Sequence, residues 1–163
     1  MAPLRPVSRS DILIFRPIAS FARRRSAAAK RRRGFRPHAN IMKSSRIGIS
    51  RAYDRPLSER GARFLVDRVW PRGVTKEELH LDAWLRDAAP SDELRRWFGH
   101  DPKRWSEFVS RYRTELDAHP DCLEPILEAA AKGPVTLLFG ARDPEHNQAV
   151  VLREYLLAKL AHH

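Results

Sequence analysis

The chain has 163 residues, of which 31 are lysine or arginine and 20 are aspartate or glutamate, giving a formal charge of +11. A chain of this length is bounded to one domain around one hydrophobic core. A single cysteine, Cys122, excludes an internal disulfide and a multi-cysteine metal site, and no apolar run approaches the length of a membrane span.

The excess charge is local. Residues 1 to 40 carry 11 basic side chains and one acid, Asp11, whereas residues 41 to 163 carry 20 basic and 19 acidic ones. The folded part is therefore nearly neutral, and nucleic acid is a partner only through the basic segment, if at all. That segment, residues 1–41, contains "SFARRRSAAAKRRRGFRPHAN" and lacks an apolar repeat able to offset the entropy of ordering it, so disorder is expected. Three readings stay open for it: an arm for nucleic acid or an anionic surface, an organelle-targeting presequence, or an over-extended start ahead of Met42. The expected domain spans residues 42–163.

"RIGISRAYD" alternates Ile47, Ile49, Arg51 and Tyr53 and reads as a strand. A loop with Pro56 and Gly61 leads to "RFLVDRVW", an apolar run that suits the inside of a sheet until it meets Asp67. Pro71 and Gly73 end it. Thr75-Lys76-Glu77-Glu78 is a capping box that starts a helix, with Leu81, Trp84 and Leu85 as its apolar stripe up to Pro90. Ser91 caps the next helix, which presents Leu94, Trp97 and Phe98 and stops at Gly99. Asp101-Pro102 opens a further helix with Trp105, Phe108, Tyr112 and Leu116 at helical spacing.

Asp121 to Lys132 makes another helix, with Pro125 in its first turn and Gly133 as its stop. Cys122 at its entry reads as a small half-buried hydrophobe rather than a nucleophile, which fits a reducing cytoplasm. "PVTLLFG" is a buried central strand. Asp143 and Pro144 are taken as the cap and first residue of a final helix whose broad apolar face comprises Val151, Leu152, Tyr155, Leu156 and Leu160. The pattern predicts one compact α/β domain: a small, three-stranded, largely parallel sheet packed by several helices. The direction of the first strand relative to the second stays open, because their link is too short for a full crossover helix.

Binding groups gather beyond the carboxyl ends of parallel strands. The candidate ligand-binding residues there are Tyr53, Arg68, Trp70, Arg72 and Asn147, and Asp67 and His146 are the candidate acid or base. Arg68 and Arg72 suit a small anionic metabolite or nucleotide. Plainer alternatives stand beside these: Asp67 paired with Arg68, Arg72 or Arg55, Trp70 as core rather than lid, and His146 as a solvated side chain. No glycine-rich phosphate loop, serine nucleophile elbow or His/Glu zinc pair occurs, so no cofactor or metal is assigned.

With "RAYD", "FLVDRVWPRG", "LDAWLRDAAPSDELRRWFGHDPKRWSEFVSRYRTEL" and "VTLLFGARDPEHNQAVVLREYL" in order, the chain resembles the YeaO-like branch of domain-of-unknown-function family 488 from Ile47 to Leu160. The resemblance implies a small cytoplasmic α/β protein without an assigned reaction. Some members are labelled transcription regulators or methyltransferases, but neither a basic recognition helix nor a glycine-rich cofactor loop is present here. Related longer members carry a cysteine after the third strand; Phe139-Gly140-Ala141 stands there instead, so a thiol mechanism does not transfer.

Overall fold

A computed structural model describes residues 12–14, 46–54 and 61–161. Its strands are β1 (Ile12–Ile14), β2 (Ile47–Arg51), β3 (Ala62–Leu65), β4 (Ala83–Leu85) and β5 (Val135–Phe139). Its α-helices are α1 (Lys76–Leu79), α2 (Asp92–Phe98), α3 (Trp105–Ala118), α4 (Glu124–Lys132) and α5 (Gln148–Ala161). The sheet runs β1-β4-β3-β5-β2. Four of its strands, β2 to β5, are parallel, and β1 lies antiparallel on β4 at the edge.

The expected three strands are therefore too few. The expected first and second strands, β2 and β3, run in the same direction with β5 between them. Of residues 1–41 only Ile12–Ile14 is described; the expectation of disorder for the rest of that segment lies outside the described residues.

The missed parallel strand is β4. Its residues fall in the stretch read as a helix, and the helix does begin as expected: Thr75 Oγ1 accepts from the Glu78 N–H at 3.2 Å and Glu78 accepts from the Thr75 N–H at 2.6 Å. It ends after one turn at His80, which adopts a left-handed φ of 46°. Asp82 then binds Arg63 twice, donating its N–H to the Arg63 carbonyl at 2.9 Å and accepting the Arg63 N–H on its carboxylate at 2.8 Å. That pairing draws the following three residues into the ladder beside β3.

Alternation along the strands divides the apolar residues between the two sheet faces. Phe64, Val66, Ala83, Leu85, Val135, Leu137 and Phe139 join the larger core with Phe108, Tyr112, Leu116, Ile126, Leu152 and Leu156 of the helices. Leu65 and Leu138 instead meet Val74, Leu79 and Leu81, with Trp70 and Trp84 packed alongside. Both faces are covered, which is why four of the five residues of β5 are apolar, Thr136 being the exception. Cys122 is half-buried with its Sγ 2.9 Å from the His119 carbonyl, and burial pushes its thiol up to about 12. No helix among the described residues is long and apolar enough to cross a membrane.

The final helix also starts later than expected. The Asp143 carboxylate accepts the N–H groups of Glu145 and His146 at 2.8 and 3.1 Å, which closes a turn rather than opening α5. The cap is Asn147, whose side-chain oxygen accepts from Ala149 and Val150 at 3.0 and 3.2 Å.

Candidate functional site

Where β3 ends, the chain enters the turn that carries Asp67, Arg68, Trp70 and Arg72. This turn lies against the segment leaving β5. The Gly140 N–H donates to Asp67 Oδ2 at 2.7 Å, and the Gln148 amide at the start of α5 donates to Asp67 Oδ1. A Cβ on Gly140 would lie 2.8 Å from that Oδ2 and 3.6 Å from Pro71 Cβ, so a side chain at this position would push the Asp67 carboxyl aside. The end of β2 joins the same edge through Arg51, whose Nε donates to the Ala141 carbonyl at 2.9 Å.

Asp67 is largely desolvated, and burial pushes its carboxyl up to about 7 against the opposing pull of the Gly140 and Gln148 bonds and the charge of Arg95. Arg68, Arg72 and the other described cations are not in ion-pair contact with it. Arg68 turns instead toward the start of α2, reaching Asp87 at 3.3 Å and Asp92 at 3.9 Å, with a further bond to the Arg86 carbonyl at 3.3 Å.

Trp70 donates its indole N–H to the Val74 carbonyl at 2.8 Å and meets Trp84 edge-on at 5.2 Å, so it packs as part of the smaller core. Tyr53, 42% exposed, lies under the Arg51 guanidinium at 5.5 Å. Arg72 is exposed, with no hydrogen-bond or ion-pair partner among the described residues.

On the α5 side, His146 Nδ1 lies 2.9 Å from Asp143 Oδ2 and its ring meets Trp105 edge-on at 5.1 Å. Three hydrogen bonds hold the Asp143 carboxyl below its ordinary value, so it orients the imidazole as a carboxylate. Asn147 is 1% exposed and spends its amide on the cap and on the Asp143 carbonyl at 2.9 Å. Replacing Asn147 with alanine is expected to cost ~2 kcal/mol of stability, because two backbone donors lose their acceptor in a buried setting. Urea titration checks this, and a loss within a few tenths of a kcal/mol would rule out the cap.

The structure thus ties Asp67 to the start of α5, directs Arg68 toward α2, and leaves Arg72 open. Gly140 and Gln148 escaped the sequence reading. A glycine directly after a buried strand is the only local signal for the first; the second lies 81 residues from Asp67 and has none.

A family model described as the inactive DUF488-N3 subclade matches residues 46–163. Over 110 residues the chain is 38% identical to the uncharacterised protein YeaO of Escherichia coli strain K12, covering 68% of this chain and 96% of that protein. An uncharacterised protein of Mycobacterium tuberculosis is 34% identical over 116 residues, which are 71% of this chain and 98% of the relative. No solved structure matches. With its whole described β2–α5 domain inside one family model and YeaO matched almost end to end, the chain belongs to the DUF488 family, in its YeaO-like branch.

Proposed function

We propose that this chain is a cytoplasmic, non-catalytic binding protein that receives a small anionic metabolite or nucleotide at the C-terminal edge of its parallel sheet, with Arg72 holding the anion. The observation that carries the reading is the contrast between Arg72 and its neighbours. Arg72 is an exposed fork of donors without a partner among the described residues. Arg68 is engaged by Asp87 and Asp92, and Asn147 and Asp143 already take the N–H groups around the start of α5. Tyr53, exposed just beyond the end of β2, which β5 separates from β3, offers a flat apolar surface at the same edge of the sheet. The word "inactive" in the description of the matching family model supports binding without turnover.

A second reading, hydrolase or transferase, is favoured by the Asp143–His146 contact, which leaves Nε2 of His146 as a base if Nδ1 carries the proton. In it Asp67 or His146 is the acid or base. Any association with nucleic acid is assigned to residues 1–41 in both readings.

Thermal-shift measurements with phosphorylated and carboxylated metabolites test the proposal, since a ligand that binds only the folded state raises its melting temperature. At a ligand concentration about a hundredfold above Kd, wild type is expected to gain ~2.7 kcal/mol, and Arg72→Ala to gain almost nothing while its own unliganded melting temperature stays near that of wild type. If no compound stabilises wild type, or if the variant responds equally, Arg72 is not an anion-holding residue. Release of a product from a stabilising compound would establish the catalytic reading instead.

A further inference from the structure

The parallel strands β3 and β5 lie side by side, and the segments that leave their carboxyl ends pass to opposite faces of the sheet. The connection after β3 packs Val74, Leu79 and Leu81 on the face of Leu65 and Leu138. After β5, α5 packs Val151, Leu152 and Leu156 on the face of Phe64 and Leu137. Adjacent parallel strands whose connections diverge in this way open a crevice beyond their carboxyl ends, the position at which open α/β sheets take up ligands. Its floor is already filled, because the Asp67 carboxyl accepts the Gly140 N–H at 2.7 Å and the Gln148 amide. What is left for a ligand is the two lips.

One lip is the turn after β3 and the other is the segment after β5. They touch where buried Pro71 approaches Gly140, its Cβ and Cγ standing 3.6 and 3.7 Å from the Cβ position of that glycine. Arg72 follows that point by one residue on the first lip, and Arg142 follows it by two on the second. Both are exposed, and neither has a hydrogen-bond or ion-pair partner among the described residues. The other described arginines at or just after strand ends are engaged. Arg51 donates to the Ala141 carbonyl at 2.9 Å and reaches Asp54 at 3.4 Å, Arg68 reaches Asp87 at 3.3 Å, and Arg86 lies over the Trp84 ring at 5.1 Å.

We propose that the crevice between β3 and β5 is a phosphoryl site in which Arg142 is a second anion-holding residue, across the crevice from Arg72. The assignment rests on the anion-binding reading of Arg72 and narrows its ligand from any small anion to a phosphate monoester. A single guanidinium fork satisfies both oxygens of a carboxylate. A phosphate monoester presents three terminal oxygens and a charge of about −1.5 to −2 at neutral pH, so it has acceptors and charge for a second fork. Two unpaired guanidinium groups on opposite lips supply the pair, and a dianion between them replaces their mutual repulsion with attraction on both sides.

Nuclear magnetic resonance of the full chain tests this through the side-chain Nε–H signals of Arg72 and Arg142, followed while inorganic phosphate is added and, separately, acetate at matched ionic strength. Phosphate is expected to move both signals along one saturating curve. Arg72→Ala is expected to raise the apparent Kd read at Arg142 at least ~10-fold, and Arg142→Ala to do the same at Arg72, since each removes a charge-assisted fork. Acetate is expected to move at most the Arg72 signal. If phosphate saturates Arg72 while Arg142 stays still, or if Arg142→Ala leaves the curve at Arg72 unchanged, Arg142 has no part in the site and the anion-binding reading of Arg72 survives alone. An equal response of both signals to acetate and phosphate overturns the phosphoryl assignment and likewise leaves that reading standing. If neither anion moves either signal along a saturating curve, both fall. The first and last of these outcomes are read in wild type, so the decision does not depend on a variant folding.

Discussion

Replacing Gly61 with alanine is expected to remove a large share of the stability of the domain. Gly61 has a φ of +80°, and a Cβ built on it would stand 1.9 Å from the Pro134 carbonyl oxygen and 2.6 Å from the carbonyl carbon. Backbone cannot rotate aside as the tip of a flexible side chain can. The same Pro134 oxygen accepts the Ala62 N–H at 3.0 Å, the contact that opens the ladder between β3 and β5. A methyl there separates the two central strands at their first pair and adds the cost of a left-handed alanine, together ~4 kcal/mol or more. Domains of this kind have on the order of 5–15 kcal/mol in total. Gly73 separates the two contributions: its φ is +71°, yet nothing lies within 4 Å of its Cβ position. Gly73→Ala is expected to lose only ~1 kcal/mol. Equal losses for the two variants in urea titration would show that β3 and β5 do not approach as closely as described.

The sequence announces most clearly the elements whose ends are chemically marked. Ser91, Gly99 and Asp101 with Pro102 each stand where a helical segment begins or stops, because their roles depend on the few residues around them. β5 was legible for a different reason: helices cover one of its faces and the 66–82 connection the other, so Thr136 is its one polar residue.

β4 was hidden because Leu81, Trp84 and Leu85 satisfy helical and extended spacing alike over so short a run. The choice between them is made by Asp82 reaching Arg63, a contact across 19 residues that no local pattern reveals. The start of α5 was misplaced because two good capping residues, Asp143 and Asn147, stand four positions apart. Asp143 closes a turn before the helix, and Asn147, buried at 1% exposure, caps it.

The candidate site was legible in part for a similar reason. Asp67 announced itself as an acid inside an apolar run, but its neighbours did not turn out to be the arginines beside it in sequence. Arg68 found its acids across the turn, at Asp87 and Asp92.

The stability of the protein is expected to fall as pH rises from about 4 to about 7, and Asp67→Asn is expected to abolish that slope. In the unfolded chain Asp67 releases its proton around 3.8; in the folded chain burial keeps the proton on until about 7. Between the two values the folded state binds the additional proton, so its stabilising effect is complete on the acid side, is lost as pH rises through the folded value, and stays lost above it. Asp143 has the opposite sense, its carboxyl being held below the ordinary value, and so acts on the acid side of this window. At ~1.4 kcal/mol per pH unit, the interval bounds the effect at ~4 kcal/mol, and relaxation around the ionised carboxyl is expected to reduce it to ~2 kcal/mol. Asparagine can accept the Gly140 N–H and donate to a turned Gln148 amide without burying a charge. The variant is therefore expected to exceed wild type by ~2 kcal/mol on the alkaline side of neutrality and to match or fall slightly below it at about pH 4. Taking the difference between the two proteins at each pH cancels the titration of every group they share. If urea titrations give a difference that does not change with pH, or a variant that is less stable on the alkaline side, then Asp67 ionises without cost and its burial has been offset by solvent or by the charge of Arg95.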